Sequence, residues 1–120
     1  MIYSVTAKDF TLKSPSRQLV LKGARPDRQY LLLCVASWCN YCKRLNSAIR
    51  VLDDDLRGRF VFLEAQETNP STRSLLTELN VQGYPSIFFI DNEGVVDRTG
   101  YHGDRTAQGI KETLLLRGAL

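Results

Sequence analysis

The stretch Ala36-Ser37-Trp38-Cys39-Asn40-Tyr41-Cys42-Lys43 joins the most apolar segment of the chain to its clearest helical pattern, and it sets two cysteines at the joint. Upstream, Tyr30-Leu31-Leu32-Leu33-Cys34-Val35-Ala36 is continuously apolar rather than alternating. A strand covered on both faces reads this way, so this segment is expected to be the central strand. Downstream, Leu45, Ile49, Leu52 and Leu56 step by four, three and four, one face of a helix from about Asn40 to Leu56 that Arg57-Gly58 stops. The acidic run Asp53-Asp54-Asp55 reads as a solvated, frayed last turn, because the negative end of a helix disfavours acid. If Cys39 sits at the helix start, the i, i+3 spacing brings both sulfurs to one face of the first turn, where they can close and open a small disulfide. Free backbone N–H groups and the positive end of the helix favour a thiolate there. Cys39 is therefore expected to titrate below the free-thiol value of about 8.5.

Working outward, Phe60-Val61-Phe62-Leu63 reads as a second buried strand. Asn69-Pro70-Ser71-Thr72 opens a helix with proline in its preferred early position and Leu75, Leu76 and Leu79 as its buried stripe. Ser86 to Ile90 and Val95 to Arg98 flank Asp91-Asn92-Glu93-Gly94, which predicts an antiparallel hairpin. A last helix is expected from Asp104, as its N-cap, through Leu116, with Gly118 at its stop. Before residue 29 the pattern is less decisive. Ile2, Tyr3 and Val5 suggest a short strand, Leu19-Val20-Leu21 fits either a strand or a helical turn, and Gly23 to Arg28 reads as a loop. The order of elements predicts an α/β fold with a central mixed β-sheet flanked by helices on both faces, a single domain spanning 1–120.

Composition narrows the function. At 120 residues the chain supports one core, and 43% apolar with 24% charged residues is ordinary for a globular protein. The net charge of +3 is spread along the chain, with no basic face interleaved with stacking aromatics, so nucleic acid is not an expected partner. No segment approaches the roughly 20 apolar residues of a membrane span, and no membrane association is expected. The first residues lack the basic start and long apolar centre of a secretory signal, which makes a cytoplasmic, reducing location the expectation. Three cysteines in such a place argue for a redox pair plus one buried thiol, Cys34. Structural zinc would need two ligands beyond the pair. Only Cys34, inside the apolar run, and His102 are left to supply them, so neither a metal nor a cofactor is expected. The plainer alternative is that Cys39 and Cys42 are core residues without chemistry.

Trp38-Cys39-Asn40-Tyr41-Cys42-Lys43 after an apolar strand, together with Gly83-Tyr84-Pro85-Ser86 before another, resembles the thioredoxin family in motif, order and separation. The resemblance covers about residues 28 to 117. It implies a thioredoxin-like fold, with Cys39 as the exposed nucleophile and Cys42 as the more buried resolving thiol. It further implies a cis bond at Tyr84-Pro85 and a substrate groove made by Trp38, Tyr84, Pro85 and Gly100. Three departures stand out. Leu33 occupies the place, six residues before Cys39, where the family usually has a buried acid that helps deprotonate the resolving cysteine. Asn40-Tyr41 replaces Gly-Pro between the cysteines, so the redox poise does not carry over. Tyr84 is bulkier than the usual residue before the proline.

The expected activity is that of a thiol–disulfide oxidoreductase, with roles in electron transport and cell redox homeostasis. It would reduce or exchange protein disulfides through Cys39, Cys42 and a mixed-disulfide intermediate. Its partners would be disulfide-containing proteins and a reductase or other thiol electron donor, and the chain would act as a monomer. Two alternatives stay open: a glutaredoxin-like, glutathione-dependent reductase, suggested by Tyr41, and a binding or chaperone-like module with weak redox turnover, suggested by Leu33 and Asn40-Tyr41. His102 is a weak candidate for proton transfer.

Overall fold

The computed structural model describes residues 2–119. In chain order its elements are β1 (Ile2–Ser4), β2 (Phe10–Lys13), β3 (Gln18–Leu21), β4 (Gln29–Val35), α1 (Asn40–Leu56), β5 (Phe60–Gln66), α2 (Arg73–Glu78), β6 (Ser86–Ile90) and α3 (Ala107–Leu116), with 3₁₀ turns at Ala7–Asp9 and Pro70–Thr72. The main sheet runs β1-β5-β4-β6, with β1, β5 and β4 parallel and β6 antiparallel to β4. β4 is interior, and its residues from Tyr30 to Val35 are all buried, which accounts for the unbroken apolar run.

Alternation along β4 divides the core in two. Leu31, Leu33 and Val35 face α1 and α3 and pack with Cys39, Cys42, Leu45, Ile49, Leu52, Phe62 and Ile110. Leu32 and Cys34 face the other way, among Phe10, Leu21, Leu63, Leu75 and Phe88 under α2 and the β2–β3 hairpin. Helices therefore cover both faces. Burying each of the large aliphatic side chains of α1 contributes about 1.5 to 3 kcal/mol, which fixes the helix on the sheet and so fixes its N-terminus at the C-terminal end of β4.

Several local features settle or correct the sequence reading. α1 is regular through Leu56, its acidic last turn largely solvated as read, with Asp55 paired to Lys111 of α3 at 3.5 Å. Residues 18–21 form a strand, paired with Phe10–Lys13 across a turn in which Arg17 has φ 56°. The predicted partner strand at Val95–Arg98 is reduced to bridges, Val20 with Val95 and Ile90 with Val96. Its backbone divides its bonds between two neighbours, Val96 N–H donating to Leu19 and Asp97 N–H to Phe89, so no continuous ladder forms with β6. The cap of α3 is Thr106, whose hydroxyl accepts from Gly109 N–H at 3.0 Å, rather than Asp104. Asp104 instead offers its carbonyl to the Tyr101 hydroxyl.

Candidate functional site: the dithiol at the start of α1

Cys39 is the N-cap of α1, with extended backbone (φ −93°, ψ 113°), and Asn40 is the first helical residue. The segment from Ala36 to Cys39 turns tightly, Cys39 N–H donating to Ala36 carbonyl at 3.1 Å. An N-cap side chain normally satisfies one of the four orphan N–H groups at a helix start. Here a sulfur takes that place: Cys39 Sγ accepts from Cys42 N–H at 3.2 Å. The same sulfur donates its S–H to the Tyr84 carbonyl at 3.6 Å. The first cysteine therefore stands at the positive end of the α1 dipole, its sulfur bonded to the first turn of the helix.

The Tyr84–Pro85 bond is cis and faces the dithiol through that carbonyl. The exposed-nucleophile expectation is not met in this resting arrangement. Cys39 is 4% exposed and Cys42 5%, because the Tyr84–Pro85 segment closes over the first sulfur as the helix and sheet close over the second. Burial, followed by the side-chain bond to Cys39, pushes the Cys42 thiol up to about 11; a backbone bond at Ala36 works against this, and the Cys39 and Glu64 charges add to it. Cys34, on the other face of the sheet and fully buried, is pushed up to about 12 by burial.

The residues expected to line a groove are brought together only in part. Tyr84, Pro85 and Gly100 share a groove of about 700 Å³ with Tyr41, His102 and Arg105. Neither cysteine lines it, and it reaches the dithiol end through Tyr41 and the Tyr84–Pro85 segment. Trp38 lies outside it, 67% exposed, with its ring edge-on to Tyr84 at 6.0 Å and its indole N–H directed to Glu67 at 3.4 Å. Gly100 has φ +77°, a conformation L side chains avoid, and its backbone lies against Phe88 and Ile87. His102 is exposed, its Nε2 2.9 Å from the Thr99 carbonyl, on the groove rather than at the sulfurs. Arg105 donates to the Pro85 carbonyl at 3.3 Å, tying the cis-proline segment to the loop before α3.

Glu64 and Gln66 were not singled out as site residues. They extend the row Phe60, Phe62 along the α1-facing side of β5 toward the dithiol, and Gln66 Nε2 donates to Glu64 Oε1 at 2.8 Å. The signal that could have found them is the period of two: both are polar on a strand face whose earlier members are aromatic and buried. Among the described residues no group of three or more His, Cys, Asp or Glu is placed to hold a metal ion, and no helix is long and apolar enough to cross a membrane.

Comparison with known proteins agrees with this geometry. The sequence model described as Thioredoxin matches residues 12–115. The chain is similar to protein disulfide-isomerase A5 of Bos taurus, 31% identical over 99 residues, covering 82% of this chain and 18% of that protein. It is also similar to the thiol:disulfide interchange protein DsbD of Pseudomonas fluorescens, 35% identical over 99 residues, covering 76% of this chain and 17% of that one. The chain thus spans less than a fifth of the length of either relative. Among solved structures, chloroplastic thioredoxin z superposes with a TM-score of 0.68 at 18% identity, covering 99% of this chain and 96% of that one. The J-Trx1 fragment of ERdj5 gives 0.70 at 15% identity, with 97% and 49% covered. The fold, the paired cysteines at the start of α1 and the extent of the sequence match together show that the chain belongs to the thioredoxin family.

Proposed function

We propose that the chain is a thiol–disulfide oxidoreductase that reduces or exchanges protein disulfides through Cys39 and Cys42. The observation that carries this reading is the sulfur of Cys39 at the helix start, accepting the Cys42 N–H and facing the Tyr84 carbonyl. Cys39 thiolate attacks a substrate disulfide, forming a mixed disulfide and releasing the first substrate sulfur as a thiolate. Cys42 thiolate then attacks Cys39 Sγ; the Cys39–Cys42 bond forms, the bond to substrate breaks, and the second substrate sulfur leaves with the electron pair. The protein dithiol is oxidised and the substrate disulfide reduced. Movement of the Tyr84–Pro85 segment or of a docking substrate must uncover Cys39 before attack, because it is buried at rest.

Reduction in a reducing compartment such as the cytoplasm is the direction we favour, with a reductase or thiol donor restoring the dithiol. The odd count of three cysteines supports it, since a framework of structural disulfides would leave one without a partner. One observation favours the binding-module reading: Cys42 is held strongly as a thiol and Leu33 beside it is no proton acceptor, so turnover could be slow. Insulin-disulfide reduction with dithiothreitol as donor separates the two. We expect turnover in the intact chain, none in Cys39→Ser, and a trapped mixed disulfide on Cys39 in Cys42→Ser. An intact chain no faster than Cys39→Ser would refute the oxidoreductase reading.

A further inference from the structure

The resolving step has a difficulty that the dithiol alone does not solve. A thiol held near 11 is ionised in only about one molecule in 10⁴ at neutral pH. The contributions of Cys39 to that shift are lost once Cys39 is in a mixed disulfide; burial and the Glu64 charge remain to hold the proton, opposed by the backbone bond at Ala36. Leu33, 1% exposed and packed with Cys42, cannot take the proton.

The register across the sheet brings one carboxylate to the same face. Leu33 of β4 stands directly opposite Glu64 of β5, and Val35 opposite Gln66. Paired residues leave a sheet on the same side, about 4.8 Å apart. Leu33, Val35 and Phe62 all face α1 with both cysteines, so Glu64 projects to that side one strand spacing from Leu33. It is half-buried and accepts from Gln66 Nε2 at 2.8 Å. The Gln66 Oε1 is buried without a hydrogen-bond partner among the described residues. A primary amide can donate through nitrogen or accept through oxygen. With its oxygen uncommitted, the Gln66 side chain can donate to a Glu64 carboxylate and, after rotation, accept from a Glu64 carboxylic acid. Both protonation states of Glu64 are thus provided with a partner.

We propose that Glu64 is the proton acceptor for Cys42 in the resolving step, on the strand next to the one that carries Leu33. The proposal rests on the oxidoreductase reading and names a further catalytic residue for it. The Cys42 proton passes to a Glu64 carboxylate oxygen, and the Cys42 thiolate attacks Cys39 Sγ. The electron pair leaves with the substrate thiolate, and Glu64 returns its proton to solvent. The other titratable groups around the pair are Cys39 on α1, Tyr84 on the facing loop and Glu67 beyond the end of β5. β4 presents Leu33 and Val35, and β1 has Ser4 in register with Glu64.

The test is a single-turnover reaction of reduced protein with an excess of a peptide disulfide, quenched in acid across pH 6 to 10. Mass spectrometry then gives capture and release separately. Glu64→Gln keeps the shape and the bond from Gln66 but cannot take a proton. Capture should be unchanged and release at pH 7 at least about tenfold slower, a modest share of what general-base catalysis supplies. Release in the variant should go on rising with pH where that of the unmodified chain has levelled. The swapped variant Leu33→Asp/Glu64→Gln returns a carboxylate across the ladder and should regain most of the neutral-pH rate. A Glu64→Gln chain that releases substrate with the unmodified rate and pH profile would overturn the proposal, as would a folded swapped variant no faster than Glu64→Gln. Failure of the unmodified chain to capture peptide at all would instead sink the oxidoreductase reading, and this inference with it.

Discussion

Cys34 should make the protein alkali-sensitive in a way that one substitution removes. Its thiol lies at 0% exposure in the middle of β4, and burial raises it from 9.0 to about 12. Between those values the unfolded chain has lost the proton and the folded chain still holds it. The unfolded state then binds fewer protons, and stability falls as pH rises. The penalty is negligible below pH 8, about 1.4 kcal/mol at pH 10, about 2 kcal/mol at pH 10.5, and approaches about 4 kcal/mol once the folded thiol itself titrates. Cys34→Ala removes the group, at a cost of about 1 kcal/mol in lost packing that does not depend on pH. The measurement is urea unfolding under reductant at intervals from pH 7 to 10.5 for both chains. The Cys42 contribution, of the same sign, is common to both and cancels in the difference. The unmodified chain should start about 1 kcal/mol the more stable and finish about 1 kcal/mol the less stable. Parallel curves would refute the reasoning, since they would mean that Cys34 ionises in place at its ordinary value. Disulfide reduction by Cys34→Ala should remain intact, because that thiol faces away from Cys39 and Cys42.

Two further outcomes follow from the loops and caps that frame the site. Gly100→Ala should lower stability by about 1 to 2 kcal/mol, from the left-handed backbone rather than from crowding, since the added methyl would meet Phe88 at 3.4 Å; thermal unfolding measures it. Thr106→Ala should cost about 1 kcal/mol through loss of the α3 cap, and Thr106→Ser should restore most of it. An Asp104→Ala chain hurt more than Thr106→Ala would show the cap to be misassigned.

The centre of the molecule was legible because its signals are long and agree with one another. β4 is an unbroken apolar run, α1 repeats its apolar residues over about three turns, and the joint between them lies at the mouth of the sheet. The periphery was not, for identifiable reasons. β2 alternates apolar and polar residues over only four positions and buries Phe10 alone, too short a signal to read by itself, and the hairpin it makes with β3 is recognisable through their pairing. Val95 to Arg98 has strand composition yet lies between two neighbours and completes a ladder with neither. Thr106 and Asp104 are both good caps, and the choice was made by Tyr101, whose hydroxyl binds the Asp104 carbonyl. At the site, the cysteines were readable from spacing. Their near-equal burial was not, because it depends on a segment 45 residues away closing over Cys39. Glu64 was missed because its meaning lies in register across strands, which no single segment displays.

The two faces of β4 also set how many electrons the molecule can hold. Cys34 and Cys39 are five positions apart in sequence, yet the sheet stands between them. Were all three thiols on one side, oxidation could yield three different disulfides, and the oxidised protein would be a mixture of isomers with different shapes. With one thiol sealed away, a single internal bond is available, so titration with an oxidant runs from one defined state to another in one two-electron step. The backbone of β4 serves as an insulator, and it keeps the odd sulfur from short-circuiting the pair.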